Sequence, residues 1–162
     1  MQPDARERLK RDALDKGPDW MTLSCGVNDV WHGAKGVPLD AYKENITKIV
    51  DQCQEAGVKV MMLTSTMIGE DEPNANNQKL AYYNEFLRAL AKEKGCLLAD
   101  LNAAMQEGVK AAGGGGKDSR IFTSDGVHMN PEGNKMMSTG PQSIYLSDAQ
   151  LAQARASWEP KK

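Results

Sequence analysis

What this chain has little of narrows its possible roles first. No apolar run in its 162 residues approaches the roughly 18 that a membrane-spanning helix needs. The first residues, "MQPDARERLKRDALDKG", are charged throughout and lack the apolar core of a secretory signal peptide, so the compartment stays open. Cysteine is scarce. Cys25, Cys53 and Cys96 are widely spaced and form no C-x-x-C pair, so they read as buried free thiols, neither a disulfide frame nor a zinc site. A net charge of −2 offers no basic surface for nucleic acid or an anionic membrane, and neither is expected as a partner. A phosphate loop is missing too. The "GGGG" at 113–116 precedes no Lys-Ser or Lys-Thr at a helix start, which disfavours a doubly wound nucleotide or phosphate binder.

What is present suits a single domain with a real core: 40% of residues are apolar and 26% charged. A helix with a thin apolar stripe is expected over 3–16, ended by Gly17-Pro18-Asp19. "WMTLSC" (20–25) reads as a short strand closed by Gly26. From Leu39 to Ala56, apolar residues recur at three- and four-residue steps, the signature of an amphipathic helix. "VKVMMLTS" (58–65) reads as a strand buried on both faces. A helix over about 77–94 follows, then a strand at 96–101 and a short helix at 102–112. Asn130 reads as an N-cap with Pro131 at the first helical position and Glu132 in the first turn. A last helix is expected over 147–158, with Ser147 as its cap. Alternating strands and helices predict an α/β fold, a three-layer, flavodoxin-like parallel sheet with its site at the carboxyl ends of the strands.

Two loops carry candidate chemistry. "GVND" (26–29) directly follows a strand; Gly26 permits an unusual backbone angle, and Asn28 offers an amide donor for a developing oxyanion. The same residues also read as a plain turn. Trp31 reads as a pocket wall or as cover for the sheet edge, and His32 as a solvated loop histidine. In "TSDGVHMNPEGN" (123–134), Asp125 stands three positions before His128, one of only two histidines. A carboxylate so placed can accept from one ring nitrogen and leave the other free as a general base. An ordinary loop carboxylate beside an exposed histidine is the bland alternative. A metal site from Asp29, His32, Asp125 and His128 has no recognisable ligand spacing.

Together the two loops resemble the SGNH hydrolases, the GDSL-like esterase and lipase family. "GVND" is similar to that family's third block and "DGVHMNPEGN" to its fifth, over about Trp20 to Ser138. The resemblance implies an oxyanion-hole donor in Asn28, a loop shaped by Gly26, a general base in His128 and its partner in Asp125. It implies hydrolysis of carboxylic esters through a serine acyl-enzyme, with small esters or acylated carbohydrates as substrates and no metal or organic cofactor.

The sequence departs from that family in one respect. The Gly-Asp-Ser block with the nucleophilic serine is not found in these residues, nor is the second block, whose glycine completes the oxyanion hole. The expectation is therefore one hydrolase-like domain over 1–162, N-terminally incomplete and lacking the family's first, central strand. Ser24, Cys25, Ser65 and Ser124 are the substitutes available; Ser65 and Ser24 lead, although Ser24 and Cys25 are expected in a buried strand. The alternative is an inactive or binding-only fragment without a nucleophile. An unpaired sheet edge also predicts a homo-oligomer.

Overall fold

The computed structural model describes residues 5–139 and the isolated helical positions Ala149 and Ala152. The first helix, α1 (Ala5–Asp12), leads through a 3₁₀ turn at Leu14–Lys16 into strand β1 (Trp20–Ser24). A short helix, α2 (Val27–Trp31), follows at once. It occupies the stretch that sequence reading left as a turn. Helix α3 (Leu39–Glu55) buries Tyr42, Ile46, Val50 and Cys53 along one stripe, as the spacing predicts. Strand β2 (Lys59–Leu63) and helix α4 (Ala75–Lys94) come next, then β3 (Leu97–Ala99), α5 (Leu101–Ala111) and α6 (Pro131–Thr139). Of the helix expected over 147–158, only Ala149 and Ala152 are among the described residues, and both are helical.

The three strands form a parallel sheet in chain order, β1-β2-β3, flanked by helices. Trp20 pairs with Lys59 and Ser24 with Leu63, so β1 and β2 are joined along their whole length with no gap between them. On one face Val60 and Met62 are buried against α3 and α4, with Met21, Leu23 and Leu98 packed at the margin of the same core. Tyr42 and Tyr83 meet there with ring centroids 4.8 Å apart. A smaller cluster of Met67, Met105 and Val109 is covered by Phe122, Met129 and Met136 and joins α5 to α6.

Two expectations fail here for the same reason. The second strand is not buried on both faces: Met61 and Leu63 are only half-buried. Nor is the first strand buried throughout, because Thr22 and Ser24 are exposed. Thr22 pairs with Met61 and Ser24 with Leu63, so all four lie on one face of the sheet, which is less covered than the face of Val60 and Met62.

The sheet's carboxyl end is locked by polar contacts. Asp100 N-caps α5 through Ala103 N–H, receives the Thr64 hydroxyl at 2.9 Å and is gripped by Arg88 at 2.7 Å. Burial pushes the Asp100 carboxyl up, but Arg88 and the other donors outweigh it and leave it below the ordinary carboxylate range. The third strand therefore stops at Ala99, short of the expected 101, because Asp100 and Leu101 already serve the helix.

Candidate active site

The loop before α6 owes its shape to Asp125. Its Oδ1 accepts the backbone N–H of Val127 at 2.9 Å and of His128 at 2.8 Å, while Oδ2 meets His128 Nδ1 at 2.7 Å. One carboxylate oxygen thus closes the turn and the other holds the ring. A bridge between Thr123 and Met129 shuts the base of the turn, and Ser124 N–H donates to the His128 carbonyl at 2.8 Å. The backbone N–H of His128 is the largest influence holding the Asp125 carboxyl far below its ordinary range, followed by the His128 ring and Val127 N–H. His128 itself is exposed, with 69% of its side chain open to solvent. With Nδ1 occupied, Nε2 is the nitrogen that faces outward for chemistry.

Helix α6 is set by the residues that follow. The Asn130 side chain accepts Gly133 N–H at 2.9 Å, as an N-cap should, and its amide donates to the Ile121 carbonyl at 3.0 Å. Gly133 is required by contact: a Cβ there would sit 2.0 Å from the Phe122 carbonyl oxygen.

Helix α2 brings the second loop to the first. Trp31, on the same five-residue helix as Asn28, meets the His128 ring edge-on with centroids 5.8 Å apart. Asn28 is exposed on that helix. Gly26 takes φ 121°, and a Cβ there would fall 2.8 Å from Ser65 Oγ. The structure therefore brings α2, the helix that carries Asn28 and Trp31, to the Asp125–His128 turn through the Trp31–His128 contact.

The other candidates have different uses. Asp29 accepts Val37 N–H at 3.1 Å and so folds the loop after α2, and His32 stacks on Trp31 at 5.1 Å. Among the described residues, no three His, Cys, Asp or Glu side chains gather as a metal site, so the Asp29, His32, Asp125, His128 set does not form one. Ser65 is only 7% exposed, and its hydroxyl donates to the Cys25 carbonyl at 3.0 Å. Its backbone is clamped on both sides by the Asn84 carboxamide at 2.8 and 2.9 Å. Cys25 lies beside Tyr42 Oη, and burial pushes its thiol up to about 11. Ser24 is exposed, but on the edge strand and before the turn at Gly26.

Sequence reading passed over Glu70, which it left inside a polar loop. Glu70 has no exposed surface, and its carboxylate receives Ile121, Phe122 and Thr123 N–H groups and the hydroxyls of Ser119 and Thr123. Burial pushes this carboxyl up, but those donors together hold it below its ordinary range. No local signal marks it, because its partners stand 49 to 53 positions away.

Known proteins resemble this chain in sequence and fold. Residues 1–136 match the sequence model of the GDSL-like lipase/acylhydrolase family. The crystal structure of an acetyl xylan esterase, AlAXEase, superimposes with a TM-score of 0.77 at 32% identity, covering 82% of this chain and 70% of that one. An acetylxylan esterase of Geobacillus stearothermophilus is 25% identical over 114 residues, 66% of this chain and 52% of its own length. A GDSL esterase/lipase of Arabidopsis thaliana is 27% identical over 138 residues, 70% of this chain and 53% of its own. The chain spans about half the length of these two curated relatives.

Proposed function

We propose that this chain, which belongs to the GDSL-like lipase/acylhydrolase family, carries the base and oxyanion side of a carboxylic-ester hydrolase site. The observation that carries the reading is the 2.7 Å contact from Asp125 to His128 Nδ1, beside the helix that bears Asn28. Asp125 fixes the tautomer and orientation of the imidazole. His128 Nε2 takes the proton of an attacking serine hydroxyl, delivers it to the leaving alcohol, and later takes a proton from the water that hydrolyses the acyl-enzyme. The Asn28 amide donates to the oxyanion that develops on the ester carbonyl, and Gly26 lets the backbone turn sharply enough to present it.

In the family pattern the attacking serine stands in a Gly-Asp-Ser block, a run that these 162 residues do not contain, and the nucleophile that His128 serves is left open in this reading. Ser65 and Ser24 are poorer candidates, the first because its hydroxyl is committed to Cys25 and the second because it sits on the sheet edge. The substrates in this reading are acylated carbohydrates or small acyl esters. Two relatives are acetylxylan esterases by name, and Trp31, 40% exposed beside His128, offers an aromatic wall for a sugar ring.

The test is hydrolysis of p-nitrophenyl acetate by the chain, alone and fused behind a segment carrying a Gly-Asp-Ser block of the family's form. The fused protein should turn over, and His128→Ala should lower its rate by about two to four orders of magnitude. Turnover unchanged in His128→Ala would refute the assignment. A correctly folded fusion without turnover would favour a second reading, a binding-only member of the family, for which the missing serine block is the motivating observation.

A further inference from the structure

Glu70 presents a problem that the hydrolase reading does not by itself answer. A carboxylate with no exposed surface is costly to bury unless donors replace its water, and here five do. Every one of them comes from residues 119–123. That segment runs directly into the Asp125–His128 turn. A second tie lies next door: Gly69 N–H donates to the Gly126 carbonyl, inside the turn itself, at 2.7 Å.

The loop bearing Glu70 is anchored in its own right. Asn77 accepts Ile68 N–H at 2.8 Å and donates to the Asp71 carbonyl at 2.9 Å. The α4 cap, Asn74, donates to the Ile68 carbonyl at 2.8 Å. Polar contacts therefore run unbroken from the first turn of α4, through Glu70, to the base of the turn that aims His128.

We propose that Glu70 is a positioning residue of the hydrolytic site, its ionised carboxylate setting the 119–123 segment so that Asp125 and the His128 ring stay in register. This rests on the hydrolase reading for its consequence in catalysis, but not for its geometry. The charge state matters because all five groups are donors. A carboxamide would turn an N–H toward backbone N–H groups that cannot rotate away, although the Ser119 hydroxyl can. A plain fold staple would act differently: its loss would lower stability and leave the imidazole of the folded protein unchanged.

The imidazole tautomer separates the two. With Asp125 accepting at Nδ1, neutral His128 carries its proton on Nδ1, and the ring ¹⁵N shifts report this directly. In Glu70→Gln the ratio of Nδ1–H to Nε2–H tautomer should fall about tenfold, the effect of loosening one charge-assisted hydrogen bond. Thr123→Val, which removes one hydroxyl donor to Glu70, should lower it about threefold, and Thr123→Ser should restore it. In the serine-bearing fusion kcat should fall in proportion to the fraction of Nδ1–H tautomer lost, while KM holds. A folded Glu70→Gln or Thr123→Val protein with the wild-type tautomer ratio would overturn the proposal. So would a wild-type His128 lacking the Nδ1–H form. Should Glu70→Gln fail to fold, the Thr123 pair decides. The expected tautomer shifts in a serine-bearing fusion without turnover would remove the hydrolase reading and leave the positioning of the ring in place.

Discussion

Asp125 holds His128 twice, by backbone N–H at 2.8 Å through one oxygen and by ring Nδ1 at 2.7 Å through the other. A carboxylate that both folds a turn and aims the ring within it cannot lose its charge without disturbing both.

The acid behaviour of the turn follows. Asp125 titrates below its unfolded value of about 3.9, so its ionisation stabilises the turn fully above that pH. The contribution is lost only as pH falls through the lower folded value. The Asp125 carboxyl ¹³C signal should therefore have a midpoint clearly below that of an unfolded peptide. A midpoint at or above the peptide value would contradict the geometry. Any loss of hydrolysis between pH 4 and 6 must then arise from another group.

Cys25 should be a sluggish nucleophile. Its thiol is pushed up to about 11 by burial, from an ordinary value of 9.0. At pH 7.5 iodoacetamide should alkylate it about a hundredfold more slowly than a free cysteine peptide, two pKa units of lost thiolate. Peptide mapping with mass spectrometry measures the rate, and reaction at the free-peptide rate would return Cys25 to the list of nucleophiles.

Gly133→Ala tests how closely α6 and the Phe122 carbonyl approach. Because the new Cβ would meet that oxygen at 2.0 Å, the helix must shift, and we expect a cost of about 2–4 kcal/mol. Urea unfolding should show a lower midpoint with an unchanged slope. A change smaller than about 0.5 kcal/mol would mean that the turn and helix separate easily.

Strand β1 has β2 on one side and, among the described residues, no strand on the other. Unpaired backbone groups along such an edge recruit further strands, so a homodimer or larger assembly is expected. Light scattering behind a sizing column would show it. A single species at 17.7 kDa, unfolding independently of concentration, would rule it out.

How much of this was legible in the sequence depended on the range of the interaction. Apolar spacing located α3 and α4 to within a few residues, and Asn130-Pro131 located the start of α6, because caps and amphipathic stripes are local. Asp125 and His128 stand three positions apart, so their pairing was also readable. The exposure of Ser24 was not, since it depends on which face of the sheet the rest of the chain covers. The burial of Ser65 under the Gly26 turn and the role of Glu70 were equally hidden. Each depends on where two distant loops come to rest, and no period in the sequence encodes that.

The strand order β1-β2-β3 also sets a timetable. Each strand pairs with the one synthesised just before it, across a helical connection, whereas Glu70 must wait for Phe122 and Thr123, 52 and 53 positions downstream. Closing longer loops costs more entropy and slows folding, so the sheet with α3 and α4 takes shape while the rest of the chain is still emerging. His128 reaches its orientation last. A nascent chain therefore owns a finished scaffold before it owns a reactive imidazole.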